Sequence, residues 1–274
     1  MTQTDLFLKR WMPPILLEAL FNLRGRRIRF EGDFSTWEDA AKLSSGYDAE
    51  SILHNVLKAA LKVKNGEAAF ERDSVIFDSI QYSWPLTTAL MWVAARNGGV
   101  LNVLDFGGSL GSSYFQNKLF LASLNSLSWS IVEQPHFVRA GNLYISDGIL
   151  CFYRSIEEAL EVNQPNIILL SSSIQYIPNP DNLLFLLNSI DSSVLVFDRT
   201  PLHSGVEHKL CLQNTPSTIY ESSYPMWILS RKKVISELDR WMLLENFSSP
   251  DGRAKSQRGL EFEFSGMIFG RKRV

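Results

Sequence analysis

Residues 103–112 read VLDFGGSLGS, and the apolar run VLNVL (100–104) leads into them. A β-prone stretch closed by Asp105 and then by Gly107, Gly108 and Gly111 reads as a strand, a tight turn and the start of a helix. The turn invites the question of what it holds. A dinucleotide fingerprint needs GxGxxG straight after the strand, and these glycines do not keep that spacing. A P-loop needs GxxxxGK[ST], and the first lysine after Gly111 is Lys118. Asp105 separates the remaining options. A carboxylate there repels a pyrophosphate and attracts a cationic ligand, while glycines let the backbone approach a ligand where a Cβ would collide.

The next strand, SWSIVEQ, also ends in an acid, Glu133. A carboxylate at that position accepts hydrogen bonds from both hydroxyls of a ribose, as in dinucleotide folds. Two strand-end carboxylates suit an amino-acid-bearing nucleoside such as S-adenosylmethionine, which carries an ammonium and a sulfonium, better than a dinucleotide. Each feature alone is equally a tight turn or a helix-capping acid; their order at the head of an alternating domain favours the ligand.

That alternation runs to the end of the chain. GSSYFQNKLFLASL reads as a helix and ILCFY as a strand; SIEEALEV opens with Ser155 and has Glu158 three residues later, a capping box. NIILLSSS is a buried strand, and NPDNLLFLLNSI a helix capped by Asn179 with Pro180 first. SSVLVFD is a strand, SRKKVISELDRW a helix, and LEFEFSGMIFGRK extended. Apolar strands alternating with helices imply an α/β fold with a mostly parallel sheet covered on both faces. Ligands bind such sheets at the carboxyl ends of the strands.

Residues 1–98 read as a helical N-terminal or cap region, and 99–274 as the ligand-binding domain. A helix is expected from Pro13–Pro14 to Gly25, followed by a run of arginines. It packs on the main domain or, through residues 1–30, lies on an anionic membrane surface. Helices are also expected near 52–61 and over SWPLTTALMWVAARNGG, started by Ser83 and ended at Asn97–Gly98–Gly99. Asp73–Ser74, before VIF, is a cap or part of a lid.

Bulk composition narrows the function. The chain has 274 residues, 45% hydrophobic and 20% charged, with a formal net charge of −2, so no general affinity for nucleic acid is expected. Cys151 and Cys211 lie far apart, and four histidines show no ligand spacing, so neither a disulfide framework nor a metal site is expected. No stretch reaches the ~18 apolar residues of a membrane span, and the N-terminus lacks the order of a signal peptide. A cytoplasmic protein, at most touching the inner face of the membrane, is the expectation.

On Asp105, Gly107, Ser109 and Gly111 the chain resembles the class I S-adenosylmethionine-dependent methyltransferases, whose first motif is an acid followed by GxGxG; here Ser109 stands for the middle glycine. It further resembles a family of methyltransferases found among bacterial surface-polysaccharide biosynthesis genes. FEGDFSTWEDA, SSGYDAESIL, ERDSVIF, VLDFGGSLGSSYFQ, WSIVEQP and YESSYPMWILSRK carry that likeness. The resemblance implies a Rossmann-like sheet of seven strands whose last strand, LEFEFSGMIFG, is antiparallel. It implies that Asp105, Gly107, Gly108, Ser109 and Gly111 line the methionine and ribose end of S-adenosylmethionine. Glu133 would hold the ribose, Gln134 contact the cofactor, Phe152 and Tyr153 lie near the adenine, and Ser171–Ser172–Ser173 face the transferred methyl. It also implies O-methylation of a sugar or glycan intermediate. A methyltransferase for another small molecule or a lipid-linked precursor, and a non-catalytic binding or scaffold chain of the same fold, are the alternatives.

About thirty residues separate SSVLVFD from the helix near Ser230, and a loop of that length is often functional. It carries His203, Glu207, His208, Gln213, Tyr220 and Tyr224. An alcohol acceptor benefits from a base; His208 and His203 are the candidates, with Asp198 next. Trp84, Trp92 and Trp227 line a sugar pocket or pack in the core.

Overall fold

The computed structural model describes residues 28–44, 49–72, 74–215 and 222–272. In chain order the elements are β1 (Arg29–Phe34), α1 (Trp37–Leu43), α2 (Ala49–Lys64), β2 (Phe70–Arg72), β3 (Val75–Phe77), α3 (Trp84–Arg96) and β4 (Val100–Phe106). Next come α4 (Ser112–Leu121), β5 (Ser126–Val132), α5 (Pro135–Ala140), β6 (Leu150–Tyr153), α6 (Ile156–Val162), β7 (Ile167–Ser171) and α7 (Pro180–Ser189). The chain ends with β8 (Val194–His203), β9 (Lys209–Thr215), β10 (Ser222–Ser230), α8 (Arg231–Glu237), β11 (Trp241–Lys255) and β12 (Glu261–Arg271). The helix expected from Pro13, with Asp73 and Tyr220, lies outside the described residues. So does all but the last part of the expected membrane segment. Among the described residues no helix is long and apolar enough to cross a membrane.

The fold is α/β and Rossmann-like. Seven strands run β6-β5-β4-β7-β8-β12-β11; β6 to β8 pair in parallel and β12 is antiparallel to both its neighbours. LEFEFSGMIFG supplies that antiparallel strand, as expected. The direction of strand addition reverses between β4 and β7, which both pair through Asp105 and Leu169. A crevice opens at such a reversal.

Alternate residues of the parallel strands face opposite layers, as the period of two requires. Leu101, Val103, Trp129, Ile131, Ile167 and Leu169 join one core with α2, α3 and α4 residues such as Val56, Leu90 and Tyr114. Leu104, Ile168, Leu170, Leu195 and Phe197 join another with Ile156, Leu184 and Val234 from α6, α7 and α8. Both predicted caps form: Ser155 Oγ accepts from Glu158 N at 3.2 Å, and Asn179 Oδ1 from Asn182 N at 3.1 Å. α3 starts after Ser83, as expected; the Ser83 side chain makes no cap bond, and its hydroxyl donates to Asp198 Oδ1 at 3.3 Å.

Two expectations are corrected. The region ahead of residue 99 is not all helical: β1 and the β2–β3 hairpin interrupt it. The thirty-residue loop before Ser230 is largely sheet. β8 runs on to His203, and β9 pairs antiparallel with both β10 and β1. β10 then rejoins the end of β8 at Leu229 and Ser230. Pro225 lies within β10 opposite Leu212.

Candidate functional site

The carboxyl ends of β4, β5, β7 and β8 and the small β1–β9–β10 sheet enclose a cavity of about 1020 Å³. Its floor steps across neighbouring strand ends: Glu133 beyond β5, Gly107 and Ser109 beyond β4, Ser172 and Ser173 beyond β7, and Arg199 in β8. Gly107 has φ 71°, and a Cβ there would stand 2.4 Å from Ser173 Cβ. Glycine is therefore required where the two strand ends at the reversal touch. Among the described residues, the non-glycine residues at positive φ are Ser74, Ser109, Ser172 and Arg199, and all four line this cavity. Such backbone is costly, about 1–3 kcal/mol per residue, and it collects at functional sites.

Glu133 is fixed by the loop itself. Its Oε1 accepts from Ser109 N at 3.2 Å and its Oε2 from Gln134 N at 2.8 Å. Burial raises its pKa, and these two amides act against the rise. Ser173 Oγ, beside Gly107, is buried with no hydrogen-bond partner. A site with an acid at the second strand end, bare backbone at the first and an orphaned hydroxyl beyond that, at the end of β7, fits a polyhydroxyl, amino-acid-bearing ligand.

Asp105 sits differently from the direct contact expected of it. It is fully buried behind the loop, not on the cavity wall. Its Oδ2 accepts from Trp129 Nε1 at 3.0 Å and its Oδ1 has no partner. A Cβ on Gly108 would stand 2.5 Å from this carboxyl group, so the loop backbone lies directly on it. Burial pushes Asp105 up to about 7; the Trp129 bond pulls the other way and the Glu133 charge adds to the rise. Asp105 shapes the loop from below instead of facing the ligand as a fixed charge.

Gln134 and Ser172 also line the cavity, whereas Gly111, Phe152, Tyr153 and Ser171 do not. Gly111, at φ 95°, precedes α4 against Leu150, and the Phe152 ring packs on Gly141. Tyr153 ends β6 with its pKa raised, chiefly by burial. Ser171 Oγ donates to Asp198 Oδ2 at 3.2 Å. Asp198 is itself buried between Ser171 and Ser83, and burial raises its pKa.

The structure does not bring the histidines to the cavity. His208 Nδ1 accepts from Ser230 N at 2.8 Å, so its Nε2 donates to Asp181 Oδ1 at 3.1 Å. His203 Nδ1 accepts from Gly205 N at 3.1 Å and its Nε2 donates to Glu207 O at 2.9 Å. Burial lowers both pKa values. The His203 ring is spent on the turn that follows β8, and the His208 ring on tying the end of β10 to α7. The expected tryptophans are elsewhere too. Trp84 clusters with Tyr82 and Phe120 at the surface, Trp92 carries the Arg96 guanidinium, and Trp227 stacks on Trp37.

Residues that sequence reasoning missed complete the wall. Arg72, Arg154, Trp37, Phe137, Arg199 and Asp251 line it. Asp251 Oδ2 accepts from Arg199 Nε at 2.8 Å and from Ser249 Oγ at 3.1 Å. Burial works against its ionisation, but Arg199, with Arg72 farther off, holds it below the usual carboxylate range. The available signal was Pro250–Asp251–Gly252, turn residues inside an otherwise extended segment.

No family model and no curated protein sequence matches this chain. Its structure is similar to solved ones at low identity. The N-terminal domain of EvdMO1, in the presence of SAH and D-fucose, is 14% identical with a TM-score of 0.47, over 83% of this chain and 98% of that one. An S-adenosylmethionine-dependent methyltransferase from Clostridium acetobutylicum is 10% identical with a TM-score of 0.44, over 70% and 93%. The glycopeptide N-methyltransferase MtfA, complexed with sinefungin, is 11% identical with a TM-score of 0.45, over 68% and 87%.

Proposed function

We propose that this chain is an S-adenosylmethionine-dependent methyltransferase that O-methylates a sugar or glycan intermediate of surface-polysaccharide biosynthesis. One observation carries the cofactor: Glu133, at the second strand end, is tied to the glycine loop at the first, and both line one cavity at the sheet's reversal. In this reading Glu133 accepts from the ribose hydroxyls. The Gly107–Ser109 backbone and Ser173 Oγ hold the amino-acid end, and Asp105 supports the loop from beneath. S-adenosylmethionine, when bound, supplies an electrophilic methyl group. The chain's part is then to align an acceptor oxygen, since positioning accounts for much of the rate of an in-line displacement.

The acceptor half fits a hydroxyl-rich molecule. Tyr176 OH donates to Gln213 Oε1 at 3.0 Å, and Gln213 Nε2 donates to Tyr224 OH at 2.8 Å. These polar groups and the rings of Phe30 and Trp37 share the cavity wall. The polysaccharide assignment rests on the sequence resemblance. A cytoplasmic setting fits two free cysteines.

Calorimetry tests the cofactor. S-adenosylmethionine and S-adenosylhomocysteine bind and NAD does not. Glu133→Ala weakens both by about 10- to 100-fold, the loss of a charged hydrogen-bond acceptor worth roughly 1.5–3 kcal/mol, with circular dichroism unchanged. Heat from NAD, or none from the other two, ends the proposal.

A further inference from the structure

We propose that Asp251 faces the transferred methyl group and takes the proton of the acceptor hydroxyl. The proposal rests on the function proposed above and names the proton acceptor for that same site.

The floor of the cavity gives a direction. Glu133 marks the end where the ribose would lie; Gly107, Ser172–Ser173 and Arg199 follow strand by strand toward β8. A ligand anchored at Glu133 and laid over Gly107 therefore points its reactive end toward β7 and β8. At that end stands Asp251, bonded to Arg199.

The chain departs from regular structure to put it there. β11 pairs with β12 through Ser248↔Ser265 and then Arg253↔Glu263, so five residues of β11 are taken up against two of β12. Residues 249–252, four against the single Phe264, bulge out of the ladder, turning at Gly252 with φ 72°. Bulges re-aim side chains and are common beside active sites. From the other side Arg199 adopts φ 51°, in the left-handed region that a long side chain rarely occupies. Ser249 Oγ and Arg199 Nε both bond Asp251 Oδ2, fixing the carboxylate.

The lining chemistry leaves few rivals. Among the described residues that wall the cavity there is no histidine, lysine or cysteine, and the acids are Glu133 and Asp251. Glu133 lies at the opposite end and is tied to the loop. A carboxylate kept ionised is a weak base toward a free alcohol, but it suffices here. As the new carbon–oxygen bond forms, the carbon–sulfur bond breaks with its pair passing to sulfur. The acceptor oxygen becomes strongly acidic, and its proton passes to Asp251 and then to solvent. Arg199 acts through Asp251 and is a positioning residue.

A pair of cofactor analogues tests this without the acceptor. Sinefungin carries a protonated amine where S-adenosylmethionine carries its methyl sulfonium; S-adenosylhomocysteine carries neither. The wild-type protein binds sinefungin at least about 10-fold more tightly than S-adenosylhomocysteine, as expected for a charge-assisted hydrogen bond. Asp251→Asn reduces that ratio to about 2 or less and leaves S-adenosylhomocysteine affinity unchanged. Asp251→Ser, a smaller neutral side chain, does the same and serves if Asn unsettles the bulge. A ratio that survives both substitutions, or no preference in the wild type, overturns the assignment of Asp251 while the cofactor reading stands. Failure of both analogues to bind the wild type overturns the cofactor reading and this proposal with it.

Discussion

The Asp105 carboxyl group is an acid whose ionisation the fold delays to about pH 7. Unfolded, it loses its proton near 3.8; folded, burial holds the proton until about pH 7. Between these values the unfolded chain has released a proton that the folded chain still binds. The stability this group contributes is therefore complete below pH 3.8 and is lost as pH rises toward 7. Asp105→Asn cannot ionise and keeps an oxygen for the Trp129 indole. Its stability relative to wild type should rise across that window by up to about 1.4 kcal/mol per pH unit. Urea midpoints at pH 4.5, 6 and 7.5 measure this directly. A flat difference would mean an ionised Asp105, and its charge would again count as part of the ligand site. Asp105 and Glu133 are legible in the sequence as strand-end acids because strand ends follow from apolar runs and glycines. Only side-chain burial distinguishes the acid that faces the cavity from the one beneath the loop.

Elements differ in how much of themselves they display in sequence. The parallel strands are continuous apolar runs, and α6 and α7 carry caps that form as read. β9 and β10 are hidden, since polar residues and Pro225 interrupt them and β9 takes part of its order from pairing with β1, nearly two hundred residues away in sequence. The histidines between β8 and α8 looked chemical because an unstructured segment leaves side chains unaccounted for. In the fold His203 ends β8 and bonds the turn after it, and His208, just ahead of β9, joins elements. His208 bonds Ser230 N at the start of α8 and Asp181 in α7, and Asp181 also pairs with Lys233 of α8 at 2.7 Å. The His208 side chain is only 5% exposed. His208→Ala should therefore cost about 1–3 kcal/mol, the price of a buried amide left unpaired, seen as a lower denaturant midpoint. S-adenosylhomocysteine affinity should stay within about twofold, because none of these bonds reaches the cavity floor. A variant of full stability that has lost turnover would restore His208 as the base.

The molecule as a whole divides its cavity between two sheets. The seven-stranded sheet presents Glu133 and Gly107 at the ends of its parallel strands, where α/β folds commonly bind ligands. The facing wall comes from β1, β9 and β10, an antiparallel sheet that grows from the end of β8. Phe30 of β1 packs edge-on to Phe262 of β12 with centroids 5.0 Å apart, which ties the small sheet to the large one. This division separates holding a cofactor from holding an acceptor, and it predicts which changes each half will feel. Gln213, 6% exposed, is the amide between Tyr176 and Tyr224. Gln213→Leu keeps the volume and removes both bonds. It should lower stability by about 1–3 kcal/mol, measured by chemical denaturation, and leave calorimetric S-adenosylhomocysteine affinity within about twofold. The same substitution should weaken capture of hydroxyl-rich acceptors, because the two phenols no longer share a fixed geometry. If instead cofactor affinity falls in step with stability, the two sheets close as one cooperative unit. The small sheet then belongs to the cofactor site as well.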